Sequence, residues 1–392
     1  MPSLQLSVGL VSLSIWLYLV LARGTFWRLR PFDDDAARHV RPTRCPTVVA
    51  IIPARNEAET IGQTVAALLQ QDYPGKFSVL VMDDHSEDAT SQLAQRTVQD
   101  NNAQSRVEIH LASALPAGWT GKLWALNEGV TKAAAHAPTF YWFTDADIAH
   151  APDTLRRLVA RAEQNKLDLA SLMVRLQAKT LPECALIPAF LFFFLKLYPP
   201  RWTADPKAST AGAAGGCLLL RRESLERLGG FPALRHEVID DCALARAVKR
   251  SGGKIWMGLT RASVSLRAYG SFTEIRDMIA RTAFTQLRYS PALLLGTLAG
   301  MFFTYLAPVA LTLAHHLAPR ILGLAAWLLM SASFLPTVRF YRLSPLWVAL
   351  LPLAALFYSY ATWLSAVRYW LGRGGQWKGR AQAPSSLRSR SS

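Results

Sequence analysis

Asp145 and Asp147 stand one residue apart in "FTDADIAH", directly after the apolar run "TFYW". Two aspartates at i and i+2 on a turn can offer oxygens to one Mg2+ or Mn2+, an ion that keeps its other positions for water and substrate phosphate. A metal held by so few protein ligands suits a nucleoside diphosphate, whose charge it neutralises as that group departs. The bland reading is a strand that ends in a polar turn.

The surrounding elements decide between the two. Short runs rich in Val, Ile and aromatics at 47–52, 77–82, 107–112, 139–144 and 167–174 read as strands. Helical stretches near 58–70, 88–100, 122–135 and 152–165 alternate with them. That alternation predicts a βαβ series and a mostly parallel, Rossmann-like α/β sheet. Ligands bind beyond the carboxyl ends of such strands. Three polar clusters fall at that edge: "PARNE" (53–57), "DDHSED" (83–88) and "DAD" (145–147). Each alone could be a cap or a turn; together they mark one site.

Two more stretches carry chemistry. In "GWTGK" a glycine pair lets the backbone approach a phosphate while Lys122 supplies positive charge, against the alternative of an ordinary turn with a solvated lysine. "VIDDCALARAVKRSG" reads as an amphipathic helix that begins at Asp240 and Asp241, of which capping explains one. A carboxylate there can take a proton from an attacking hydroxyl. His236, five residues before Asp241, ranks well behind it as a base. "AGAAGG" (211–216) is flexible by composition and suits either a moving loop or a linker.

Apolar segments frame this polar region. Residues 4–22 carry no charge, and their helix would rise roughly 28 Å, one hydrocarbon core. Arg23, Arg28 and Arg30 follow, so residue 23 onward is expected in the cytoplasm. Runs near 291–314, 321–338 and 345–367 read as three more spans. The expected organisation is therefore an anchor (1–22), a basic juxtamembrane linker (23–44), an α/β domain (45–270), an interfacial amphipathic helix (271–290), transmembrane helices (291–367) and a basic, disordered tail (368–392). Four spans would leave that tail outside, although its six Lys and Arg oppose the usual bias.

The formal charge of +16 raises the question of nucleic acid. From Tyr289 onward there are nine Lys or Arg and no acid, so most of the excess flanks membrane. Basic residues beside spans attract anionic lipid headgroups, and no nucleic-acid-binding motif is present. The four cysteines are dispersed and fit a reduced compartment.

The ordered set "VVAIIPARNE", "VMDDHSEDAT", "GWTGKLWALNEG", "FTDADI", "GGCLLLRRESLERLGGF" and "EVIDDCALARAVKRSGGKI" resembles glycosyltransferase family 2, inverting enzymes of GT-A fold, over roughly residues 46–290. The resemblance implies that Pro53, Ala54, Arg55 and Glu57 line a nucleotide pocket and that Asp84 contacts uracil. It makes Asp147 the main metal ligand, with Asp145 near the ribose and metal. The Asp240–Asp241 pair matches the place of the catalytic base, with Asp241 at the second position. Where the family often has Gln-x-x-Arg-Trp this chain has "TQLRY", so only Arg288 carries over, as a diphosphate contact.

The strip "CALIPAFLFFFLKLYPP" (184–200) lies between motifs that must share one face, so it cannot cross once. It is expected to lie in the inner leaflet, the alternative being a core helix. Along its length the chain is similar to bacterial hopanoid-associated glycosyltransferases and relatives of ceramide glucosyltransferases. What this implies is transfer from a UDP-sugar to a membrane lipid at the cytoplasmic face of a bacterial inner membrane. A polyprenyl-phosphate or polysaccharide acceptor stays open. A nucleotidyltransferase would need a glycine-rich triphosphate loop after the first strand, and "PARNEAET" has no glycine. A silent membrane scaffold predicts no transfer at all.

Overall fold

The run "VVAIIPA" has no polar residue on either face of the pleat, which in a sheet covered on both sides is what a central strand requires. In the computed structural model, which describes residues 2–34, 44–235, 240–372, 376–377 and 380–381, this run is β1 (Val48–Ala54), buried throughout. It is followed by α2 (Ile61–Leu69), β2 (Phe77–Asp83), α3 (Thr90–Asp100), β3 (Val107–Leu111), α4 (Gly121–Ala133), β4 (Phe140–Phe143), β5 (Ile148–Ala149), α5 (Thr154–Asn165) and β6 (Leu169–Arg175). Then come α6 (Leu181–Leu197), α7 (Pro200–Ala204), β7 (Leu218–Arg221), α8 (Arg222–Arg227), α9 (Asp240–Arg250) and β8 (Ile255–Ser265).

The eight strands lie in the order β3-β2-β1-β4-β7-β6-β8-β5. β1 pairs in parallel with β2, Ala54 facing Asp83, and with β4. Side chains alternate between two cores. Val48, Ala50 and Ile52 meet α2, α3 and α5 through Ile61, Val65, Val98 and Leu158, whereas Val49 and Ile51 meet α4 and α9 through Leu123, Leu126, Leu244 and Val248. Packing under α4 is close: a Cβ on Gly129 would stand 2.5 Å from Ile51 Cγ2. Three strands go beyond the five expected. β5 has two residues and β7 four, too short to show a period, and β7 runs antiparallel to both β4 and β6. That reversal sets Leu218 opposite Phe143, so the residues just before β7 reach the same edge as the end of β4.

Contacts divide the chain into two units, the sheet unit (30–177, 202–268, 375–392) and a helical unit (1–29, 178–201, 269–374). Part of the basic linker belongs to the sheet: Pro31 bridges Leu259, the Asp33 carboxylate accepts from Thr260 Oγ1 at 2.7 Å, and Arg157 stacks over Phe32 at 4.4 Å. The tail expected to be disordered contains one short antiparallel ladder, β9 (Gln376–Trp377) with β10 (Arg380–Ala381); the remainder beyond residue 372 lies outside the described residues.

The helical unit holds α1 (Pro2–Leu21), α6, α10 (Phe272–Ala280), α11 (Ala283–Gln286), α12 (Pro291–Met301), a π-turn (Phe302–Leu306), α13 (Ala307–Thr312), α14 (Leu317–Phe340) and α15 (Leu351–Trp370). Among the described residues four helices are long and apolar enough to cross a membrane: Ser3–Leu21, Pro291–Thr312, Leu317–Phe340 and Pro345–Trp370. The π-turn has a visible cause in Pro308, which lacks an N–H and crowds the carbonyl four residues back. That carbonyl, of Thr304, accepts from Trp16 Nε1 at 2.7 Å, and the carbonyl of Phe303 accepts from Ser12 Oγ at 2.8 Å. The amphipathic helix expected over 271–290 is broken into α10 and α11. α6 packs inside the unit, Phe192 against Phe26 and Phe334, Phe193 against Tyr305 and Tyr358.

Candidate active site

Two loops leaving the parallel edge are zipped together. Asn56, after β1, has left-handed backbone (φ 51°), as has His85 after β2 (φ 55°). Asn56 N–H donates to Ser86 Oγ at 3.0 Å, its Oδ1 accepts from Glu87 N–H at 2.8 Å, and Glu57 N–H donates to Thr90 Oγ1 at 2.8 Å. Arg55, expected to line the nucleotide pocket, is buried and donates through Nη1 to the carbonyls of Asp84 and His85 at 2.5 and 2.9 Å. It is a strut between the loops. Asp83 accepts from Ser86 N–H and Oγ and from Ser91 Oγ, so it caps its own turn. Asp84 is fully buried at the strand end, its N–H donating to the Ala54 carbonyl.

The acidic turn after β4 carries two cations of the chain's own. Lys122 Nζ, on the first turn of α4, sits 2.8 Å from Asp145 Oδ1. Arg267 Nε donates to Asp147 Oδ2 at 3.1 Å, and its Nη2 reaches both oxygens of Glu57 at 3.0 Å. Burial lifts the Asp147 carboxyl above the usual carboxylate range, the Asp145 charge adds to this, and Arg267 opposes it. Beneath the turn, His150 is buried between the hydroxyls of Thr144 (2.8 Å) and Ser263 (3.1 Å), and burial brings its pKa down to about 3.

Asp241 opens α9 from the other side. Its Oδ2 accepts from Gly215 N–H at 2.8 Å and its Oδ1 from Cys242 N–H at 2.6 Å. A Cβ on Gly215 would stand 3.4 Å from both Asp241 Oδ2 and Lys122 Nζ, so the glycine lets three groups approach. Pro53, Lys122, Asp145, Gly215 and Asp241 thus share one open cleft of about 340 Å³, with Leu126, Phe143, Phe231 and Leu244 as its apolar wall. The stretch 211–216 is held in place: Ala211, Ala213 and Ala214 are buried, Ser171 Oγ bonds Ala214 N–H (2.8 Å), and Lys249 Nζ bonds the carbonyls of Trp202, Thr203 and Thr210.

Other sequence-predicted residues are placed as follows. Ala54 is buried at the end of β1, and Glu57 is tied to Arg267 rather than reaching the cleft wall. Asp240 begins α9, but its side chain and His236 lie outside the described residues. Arg288 belongs to the helical unit, in the turn before α12, with φ 52°. Arg267 escaped the sequence reading because nothing in its spacing marks it; β5–β8 pairing, Ile148 opposite Ser265, brings it beside Asp147.

The donor set fits a hard divalent cation. Asp145 and Asp147 present carboxylate oxygens that already attract cationic side chains, and among the described residues no group of three or more His, Cys, Asp or Glu could hold a metal by itself. Two protein carboxylates leave the remaining positions to water and phosphate.

Residues 49–229 match the family described as glycosyl transferase family 2. Two curated relatives are 4,4'-diaponeurosporenoate glycosyltransferases of Staphylococcus aureus. That of strain bovine RF122 / ET3-1 is 25% identical over 205 residues, covering 51% of each chain; that of strain USA300 is 26% identical over 201 residues, covering 50% of each. The chain thus spans about half the length of the curated relatives it matches. Among solved structures, a mannosyltransferase from Pyrobaculum calidifontis in complex with GDP-Man and Mn2+ is 20% identical, with TM-score 0.53 over 94% of this chain and 99% of that one, a likeness of fold. With its eight-stranded mixed sheet and the acidic turn at the sheet's ligand edge, the chain has the GT-A fold, and its residues 49–229 are similar to glycosyl transferase family 2.

Proposed function

We propose that this chain is an inverting glycosyltransferase that moves a sugar from a UDP-sugar to a membrane lipid, with Mg2+ or Mn2+ as cofactor. The observation that carries the reading is convergence: Lys122, Asp145 and Asp241, far apart in sequence, meet around Gly215 in one cleft. Asp145 and Asp147 would hold the cation, which when bound offsets charge developing on the departing diphosphate. Lys122 and the N-terminus of α4 supply positive charge to the same phosphates. Pro53 and the zipped loops bearing Ala54, Arg55, Glu57 and Asp84 form the nucleotide side.

Asp241 is the base. Gly215 N–H and Cys242 N–H fix its carboxylate, so an oxygen can accept the proton of an acceptor hydroxyl as that oxygen attacks the anomeric carbon. The new C–O bond forms opposite the breaking bond to phosphate, and configuration inverts. Asp240 is its neighbour in the acidic pair.

Four span-length helices on the same chain, and the 4,4'-diaponeurosporenoate named for the curated relatives, support an acceptor that stays in the bilayer. The finer reading is a hopanoid or sphingolipid-like lipid at the cytoplasmic face of a bacterial inner membrane, with anionic lipids around the basic flanks. A polyprenyl phosphate is the competing acceptor.

The test is incubation of the full chain in nanodiscs with Mn2+, a panel of labelled UDP-sugars and a bacterial lipid extract, followed by identification of the labelled lipid. Asp241→Asn should lower turnover by about 10²–10⁴-fold with UDP binding intact. Absence of both transfer and nucleotide binding with every donor would reject the enzyme reading.

A further inference from the structure

Arg267 is the feature of the site with no assigned role, and its surroundings are specific. It follows β8, whose pairing with β5 sets Ile148 opposite Ser265 and lets Leu266 N–H donate to the Asp147 carbonyl at 2.7 Å. One step further along, the Arg267 guanidinium bridges two acids from different loops, Glu57 after β1 and Asp147 after β4. The Arg267 side chain is 36% exposed, while those of Glu57 and Asp147 are 12% and 16% exposed. The cation therefore covers the two carboxylates from the solvent side.

A divalent ion that takes Asp147 as ligand must compete for an oxygen that Arg267 already holds. Arg267 would be left with Glu57 alone, and drawing a guanidinium off a half-buried acid it already holds is unfavourable. A planar guanidinium also matches phosphate oxygens as well as it matches carboxylates. The ion alone offers Arg267 no new partner. An ion arriving with a diphosphate does.

Resting on the reading of this cleft as a nucleotide-sugar site, we propose that Arg267 is an internal counter-ion that yields Asp147 to a divalent cation only when a nucleoside diphosphate is present to receive its guanidinium. The role is one of positioning and coupling. It makes cation binding and nucleotide binding mutually dependent, and by linkage the coupling is the same seen from either ligand.

The experiment measures Mn2+ binding to the full chain in nanodiscs by electron paramagnetic resonance of free Mn2+, with and without UDP. In the wild type UDP should tighten Mn2+ at least about tenfold, within the usual range of coupling. Arg267→Gln should tighten Mn2+ alone by a similar factor and reduce the UDP effect to near unity. A merely structural arginine predicts something else: Mn2+ affinity falling both with and without UDP, which would overturn the proposal, as would an unchanged UDP effect. Should Arg267→Gln fail to fold, Arg267→Lys carries the test, since it keeps the charge but not the fork across two acids; the UDP effect should shrink to a few-fold, and full retention would overturn the proposal. Wild-type protein that binds no Mn2+ even with UDP would instead refute the nucleotide-sugar reading itself.

Discussion

His150 shows how one enclosed side chain sets an acid limit on this fold. The ring is held neutral, with a pKa near 3 through burial, whereas in the unfolded chain it titrates near 6.5. Its contribution to stability is therefore complete above about pH 6.5 and is lost as pH falls toward 3, because only the unfolded chain takes up the proton. Across that window stability should fall by up to about 1.4 kcal/mol per pH unit from this residue. His150→Gln should make the acid limb of an unfolding-against-pH curve shallower by up to one proton, whatever its effect at neutral pH. The residues proposed to carry chemistry were readable in unequal measure. Asp145, Asp147, Lys122 and Asp241 announce themselves by type, since paired acids at a strand end or helix start and a lysine just after a glycine pair have few structural uses. Arg55, expected to line the nucleotide pocket, has a use that its type does not announce, since its guanidinium joins the backbones of two loops.

At the level of elements, the parallel half of the sheet was legible because β1, β2 and β4 are buried on both faces and read as mostly apolar runs. The antiparallel half was not. β7 is four residues preceded by small ones, and its direction is decided by pairing with β4, which no local pattern encodes. The consequence reaches the site, since reversal of β7 is what delivers Gly215 to Lys122 and Asp241. Close packing between elements is equally silent in the sequence. Gly129 of α4 lies against β1, and a methyl there would stand 2.5 Å from Ile51 Cγ2 and 3.1 Å from Met82 Cγ. Gly129→Ala should therefore destabilise the protein by about 1–3 kcal/mol even though alanine is the better helix former, a lowering readable as a shift in the thermal midpoint.

For the whole molecule, the coarse division was plain from hydropathy: four apolar segments and one polar region. Finer orientation is a matter of charge, and Cys45 offers a direct reading of it. Of the four free cysteines Cys45 is exposed, Cys184 intermediate, and Cys217 and Cys242 buried. Under the proposed topology, which puts the α/β domain in the cytoplasm, a membrane-impermeant maleimide should label Cys45 in inverted vesicles and leave it unlabelled in right-side-out ones. The opposite pattern would reverse the proposed topology.

The bonds from Ser12 and Trp16 to the carbonyls of Phe303 and Thr304 join residues 291 and 288 apart in the chain. At ordinary translation speeds the donors leave the ribosome about 15–60 s before their acceptors. If the first helix enters lipid as proposed, it waits through that interval with a hydroxyl and an indole N–H lacking their eventual mates. Assembly thus has a natural late step, in which arrival of the proline-distorted helix supplies the partners that the first helix has been waiting for.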